Sequence, residues 1–381
     1  MQSGVESIER EARDLARRIA KDRIASTAGE RDRSGEFPRE TIEALGESGL
    51  LGAVVGVDNG GAGLPRTGLA GLVTELGRAC ASTALVAVSH IIAEKAIETA
   101  ATDFVRTKWL PKMVAGQTLG AFAVHESNSG SNSGAITTTA RRDADGYIVT
   151  GSKMFITSAG EADVYLVLVR TDPQRGPQGM SALLIEKDVS GLSFGRPEDK
   201  MGLRSSSSRE MFFDDCRVPA ANLVGVEGEG GQVVGQNVIG WGFFGAAAIS
   251  VGIAQAATDL AVTHAKERTI AGQPIGVHQA VQALIADMSL QSEAAEALLV
   301  MCADRADASP ALAAINGFKA KLFASETAIE VADKAIQVMG GHGYCRDYTV
   351  ERLFRDARGL TLHFKTSEWL RQDIAKAALG L

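Results

Sequence analysis

The chain is poor in cysteine. Cys80, Cys216, Cys302 and Cys345 are scattered through 381 residues, and no two have the spacing of a metal-binding pair. A disulfide framework or thiolate metal site is therefore not expected; reduced structural thiols in a cytoplasmic protein are. There is no excess of positive charge either, since 39 Lys and Arg against 46 Asp and Glu give a formal net charge of -7. Phosphate recognition needs clustered Lys and Arg, so neither nucleic acid nor an anionic membrane is an expected partner. The opening "MQSGVESIEREARDLARRIAKDRIA" lacks the apolar core of a secretory signal. No run of about 18 apolar residues is seen, so no transmembrane helix is expected. Internal repeats and low-complexity segments are missing as well.

What is present is a globular composition, 45% hydrophobic and 22% charged, in a chain long enough for two or three domains. Residues 1–120 read as an all-α domain. "SIEREARDLARRIAKDRI" carries Ile8, Leu15, Ile19 and Ile24 on one stripe, and "PRETIEALGESGLLGAVV" repeats the pattern up to a break at Gly49. "NGGAGLP" is a loop. Residues 121–227 change period: "YIVTGSKMFITSA", "DVYLVLVRTD", "SALLIEKDVSGLSFGRP" and "SREMFFDDCRVP" predict strands with short turns, in an antiparallel barrel or packed sheets. Residues 228–381 return to long alanine-rich helices of bundle length, the third ending at the Gly340-Gly341 pair. The fold class is α+β: an N-terminal helical domain, a central antiparallel β-barrel-like domain and a C-terminal four-helix bundle.

Four segments carry a resemblance. "AFAVHESNSGSNSGAITTTARRDADGYIVTGSKMFITSAGEAD", "MGLRSSSSREMFFDDCRVPAANLVG", "AKERTIAGQPIGVHQAVQALIADM" and "AIQVMGGHGYCRDYTVERLFRDARGLTLHFKTSE" together resemble, in order and spacing, the acyl-CoA dehydrogenase superfamily. The resemblance covers nearly the whole chain. It implies noncovalent FAD, an acyl-CoA or related thioester substrate, and a homotetramer or homodimer whose subunits share each flavin. It places Phe122, Val124, His125, Ser131, Phe155 and Thr157 around the flavin, with Phe155 against the ring and Thr157 near its reactive nitrogen. Hydroxyls such as Ser131 and Thr157 suit a polar flavin edge because they both donate and accept. Arg268 is similar to the arginine that reaches the pyrophosphate of a neighbouring subunit, a role that suits a forked guanidinium. His278, Gln279, Gln337, Gly340 and Gly341 match positions near the dinucleotide, and Thr366 and Glu368 match contacts just beyond the catalytic loop.

The pattern fails where the family keeps its base. A carboxylate that removes the α proton of the thioester must stand within reach of that proton. Phe364 occupies the usual glutamate position, followed by Lys365 in place of Gly. The alternative position on the first bundle helix falls at Phe243, and no acid occurs from Val238 to Ser250. His125 replaces a Thr, and Ser127, Asn132 and Ala271 replace Pro, Asp and Phe. Four readings stay open. A dehydrogenase could draw its base from His125, His363 or, if burial lowered its pKa, Lys365. An oxygen-using enzyme could hold a flat or cyclic substrate against Trp241, Phe243, Phe244 and Phe364, unless that aromatic cluster is ordinary core. A desulfinase-type reaction would need no base, and a cofactor-binding pseudoenzyme would need no chemistry. The electron acceptor could be molecular oxygen or an electron-transfer flavoprotein.

Overall fold

The alternation of apolar and charged residues in the first third becomes a set of helices in the computed structural model, which describes residues 2–381 and side chains from Glu6 onward. They are α1 (Gln2–Ile19), α2 (Ala25–Ser34), α3 (Arg39–Glu47), α4 (Arg66–Ala79), α5 (Ala81–Ala100) and α6 (Asp103–Val114). α1 is amphipathic and lies along α4. α5 is apolar nearly all round and buried from Ala81 to Glu94, the pattern of a helix enclosed on every side.

The middle of the chain forms β1 (Gly120–Ala123), β2 (Thr139–Arg142), β3 (Gly146–Thr157), β4 (Val164–Arg170), β5 (Met180–Glu186), β6 (Leu192–Phe194), β7 (Ser208–Pro219) and β8 (Leu223–Val224). The strand order is β6-β7-β3-β2-β4-β5-β8, with β1 also on β4. Most pairings are antiparallel, as expected, but β1 runs parallel to β4, and β2 meets β4 parallel at Thr139 and Arg170. The sheet is therefore mixed. Parallel neighbours need a crossover, and here the β2–β3 hairpin supplies it. A four-residue strand such as β1 carries no signal of its direction. β4 and β5 are buried along six successive residues each, which explains their unbroken apolar runs.

The last third begins as one continuous rod: α7 (Gly230–Val234), a π-helical stretch Gly235–Gly242, and α8 (Phe243–Glu267). By length and composition this rod could cross a membrane, a property missed when only unbroken apolar runs are sought. In the fold, 89% of its most apolar window is buried inside the protein, so it is the core of the bundle. A small hairpin, β9 (Thr269–Ile270) and β10 (Gln273–Pro274), precedes α9 (Gln279–Ala308), α10 (Ala313–Met339), α11 (Thr349–Leu360) and α12 (Ser367–Leu379). α10 contacts α8, α9, α11 and α12. It ends at Gly340, whose φ of 60° favours glycine. α11 is a helix not anticipated from sequence. Its dense charge hides an inward stripe of Val350, Leu353, Ala357 and Leu360.

α4 and α8 cross so closely that glycine is required. A Cβ at Gly252 would overlap the carbonyl oxygen of Thr74 and lie 2.7 Å from the Arg78 nitrogen. Gly252→Ala is expected to lower stability by about 1–3 kcal/mol through overpacking. Denaturant titration measures this, and an unchanged midpoint would refute the close crossing.

Candidate active site

The loop between α11 and α12 carries Phe364 at a φ of 61°. A bulky residue in that region costs on the order of 1–3 kcal/mol and must be held by its surroundings. The Phe364 ring stacks on Phe122, with centroids 5.8 Å apart and planes 7° apart. It also meets Phe243 at 5.7 Å, and Phe243 packs edge-on against Phe318 at 5.2 Å. The residue whose missing Cβ faces Phe364 most closely is Gly242: a Cβ there would lie 3.0 Å from Cε1 of the ring. Gly242 is the last residue of the π-helical stretch, a distortion often found at functional sites. Sequence reasoning placed the alternative base at Phe243; Gly242 is a second position facing the same ring, and it too is not an acid.

The three basic candidates separate. His125 places Nε2 at 3.1 Å from the carbonyl oxygen of Phe364. A carbonyl only accepts, so Nε2 carries the proton and Nδ1 keeps the lone pair. Burial pulls its pKa below the ordinary value, against the hydrogen bond to Phe364, and keeps the ring neutral near pH 7. His363 places Nδ1 at 2.8 Å from the carbonyl oxygen of Gly359, and burial drives its pKa down to about 4. It too is neutral. Lys365, the third candidate, forms an ion pair with Asp373 of α12 and lies 5.5 Å from the ring centres of Phe318 and Trp369.

The expected aromatic wall also divides. Phe243 and Phe364 are neighbours, but Phe244 is fully buried in the bundle core. Trp241 lies between cations, with the Arg66 guanidinium 4.4 Å and the Lys95 ammonium 4.9 Å from its ring centre. The rings that meet Phe364 are Phe122 and Phe243, with Phe318 behind Phe243. Consecutive residues on a helix point to different sides, so a cluster in sequence need not be a cluster in space.

On the sheet side, a register shift between Lys153 and Ile156 breaks the β3–β7 ladder. Such bulges re-aim side chains. Phe155, at a φ of 56°, is turned outward and is 60% exposed. Below it a buried ion pair escaped sequence reasoning. Lys153 Nζ donates to Glu126 Oε1 at 2.7 Å, with side chains 0% and 3% exposed. The Glu126 carboxylate also accepts from the backbone N–H groups of Thr137 and Thr138 at 2.6 and 3.0 Å. Burial pushes its pKa up, but Lys153 and these hydrogen bonds outweigh it and hold the carboxyl at about 2. A carboxylate so held is not a base near neutrality.

Known families settle the relationship. The descriptions Acyl-CoA dehydrogenase, N-terminal domain, middle domain and C-terminal domain match residues 7–117, 121–216 and 228–379. The chain belongs to the acyl-CoA dehydrogenase family. It is 38% identical to the acryloyl-CoA reductase (NADH) of Anaerotignum propionicum, over 96% of this chain and 93% of that protein. Its fold matches butyryl-CoA dehydrogenase from Megasphaera elsdenii with a TM-score of 0.94 and 33% identity, covering 98% of each chain. It also matches PigA, solved with FAD and proline, with a TM-score of 0.92 and 26% identity, covering 98% of this chain and 97% of PigA.

FAD is the cofactor of this acyl-CoA dehydrogenase fold, and the residues present fit it. Two buried hydroxyls, Ser158 Oγ and Ser367 Oγ, have no protein partner. Each directly follows a residue expected at the flavin, Thr157 or Thr366. The Thr366 N–H lies 3.5 Å from Ser131 Oγ, which brings the two expected halves of the cradle together. Val124 is buried at the end of β1, and Glu368 is exposed in the first turn of α12. Arg268, His278, Gln279, Gln337, Gly340 and Gly341 are all exposed, around the α8–α9 connection and the end of α10. They form a second, outward-facing group at the end of the bundle.

Proposed function

We propose that this acyl-CoA dehydrogenase homologue is an FAD-dependent oxidoreductase of an acyl-CoA or related thioester that works without a carboxylate base at the loop or on the bundle helix. The observation that carries the reading is the surroundings of Phe364: the phenyl rings of Phe122 and Phe243, a glycine at the facing helical position, and two neutral histidines tied to main-chain carbonyls. Bound FAD would supply two-electron chemistry. Phe122, Val124, Ser131, Phe155, Thr157, Thr366 and Glu368 would hold it on its own subunit. The exposed group around Arg268 would meet the pyrophosphate and adenosine of a neighbouring copy, in a homodimer or homotetramer. His125 Nδ1, the free lone pair nearest the loop, would accept a hydrogen bond from the cofactor's polar edge. Phe364 and Phe122 would pack against the acyl group and exclude water rather than move a proton.

The test is proton exchange. Butyryl-CoA incubated with the holoenzyme in D2O is expected to gain no α-deuterium above the buffer background. Rapid enzyme-dependent incorporation would show a working base; if it persisted in both His125→Gln and His363→Gln, which remove the imidazole lone pairs at the loop, the reading would be sunk.

The same phenyl stack favours a second reading, in which a flat or cyclic acyl group is oxygenated, with an oxygen atom of molecular oxygen entering the product and no electron-transfer flavoprotein needed. Turnover of a cyclic or aromatic acyl-CoA under 18O2 distinguishes the two. Labelled product supports oxygenation; unlabelled product with full flavin turnover removes it.

A further inference from the structure

Lys321, in the middle of α10, is fully buried. Its Nζ donates to the carbonyl oxygens of Thr361, at 3.0 Å, and Lys365, at 2.8 Å. These are the two ends of the segment that carries His363 and Phe364. Among the described residues no carboxylate lies within ion-pair distance of the ammonium. Burial drives its pKa down to about 7, against the more distant pull of Glu326 and Glu368. A buried cation without a counter-charge weakens a fold unless its protons are matched by well-placed acceptors. Here those acceptors are carbonyls of one short loop.

The segment is tied from its other side as well. The carbonyl of Phe364 accepts from His125 Nε2 at 3.1 Å, and the Lys365 N–H donates to the carbonyl of His363 at 2.7 Å. The neighbouring carbonyls of Phe364 and Lys365 thus have partners on different elements, His125 after β1 and Lys321 on α10, and Phe364 holds the positive φ.

We propose that Lys321 is a positioning residue: its ammonium gathers the carbonyls of Thr361 and Lys365 so that the strained Phe364 faces Phe122 and Gly242. Lys321 acts through the loop, and a methionine of similar length would fill its volume without its protons. The role differs from general support of the bundle. Lys321→Met removes a desolvated charge from the core, so global stability is expected to hold or rise. The loop, left with two undonated carbonyls, is expected to loosen.

Hydrogen exchange on the FAD-loaded protein reads both at once. In Lys321→Met, amides of residues 362–366 are expected to exchange about 10-fold faster or more, while those in α8 and α9 keep their wild-type protection. The visible flavin spectrum is expected to shift as the His125–Phe364 contact changes. Lys321→Gln keeps one donor at a shorter reach and folds without the charge; an intermediate rate in the loop is the expected result. Equal exchange in loop and bundle, whether unchanged or raised together, would overturn the proposal and leave Lys321 a structural residue only.

Discussion

Phe364→Glu is expected to confer α,β-desaturation of butyryl-CoA on this enzyme. The backbone already accepts a side chain at a φ of 61°, and the carboxylate would replace a ring that faces Gly242 and Phe122. Desaturation needs two departures: the α proton to a base and the β hydride to the cofactor. On the proposed reading the scaffold keeps the residues for the second and has no carboxylate for the first. A positioned general base contributes about 10²–10⁴-fold, so anaerobic flavin reduction by butyryl-CoA should rise by at least about 10²-fold over wild type. Burial among phenyl rings would raise the new carboxyl's pKa, so the gained rate should climb with pH. A variant that binds FAD normally and shows no gain would mean that Phe364 does not face the acyl carbons.

Lys153→Met should have the largest effect on stability. It leaves Glu126 charged and buried, with its backbone donors but without its cation. Removing one partner of a buried pair costs about 3–5 kcal/mol. The pH dependence gives a sign. In the wild type the Glu126 carboxyl sits at about 2, below its ordinary 4.5. Its contribution is therefore complete above about 4.5 and lost as pH falls toward 2. Without Lys153, burial dominates and raises the carboxyl's pKa, so acidification should recover stability instead of removing it. Thermal unfolding of both proteins between pH 3 and 7 measures this. Parallel curves would show that the pair is not what holds Glu126 ionised.

The parts legible in the sequence were those with a period or a local rule. The bundle helices, the strands β3 to β7 and the glycine stop after α10 each follow from such patterns. α11 was not, because Arg352, Arg355, Asp356 and Arg358 surround its apolar stripe and give it the look of a polar connection. The parallel entry of β1 depends on which distant strand it meets. In the site, the absence of an acid near residue 364 and from 238 to 250 could be read directly. Which aromatics gather there could not: Phe122 and Phe318 arrive from β1 and α10, while Trp241 and Phe244 turn away on the same rod as Phe243. Nor could the fate of Lys365, which depends on Asp373 one helix later, or of Lys321, whose partners are carbonyls and leave no mark in composition.

The central claim is that this member of the family keeps the flavin cradle and has no carboxylate to remove an α proton. Anaerobic titration of the wild-type holoenzyme with butyryl-CoA, followed by the visible flavin absorbance, tests it most directly. The expected result is an oxidised spectrum that persists through a large excess of thioester. Prompt bleaching at stoichiometric butyryl-CoA would contradict the account, because it would mean that His125, His363 or a carboxylate from elsewhere takes the α proton as readily as the missing glutamate.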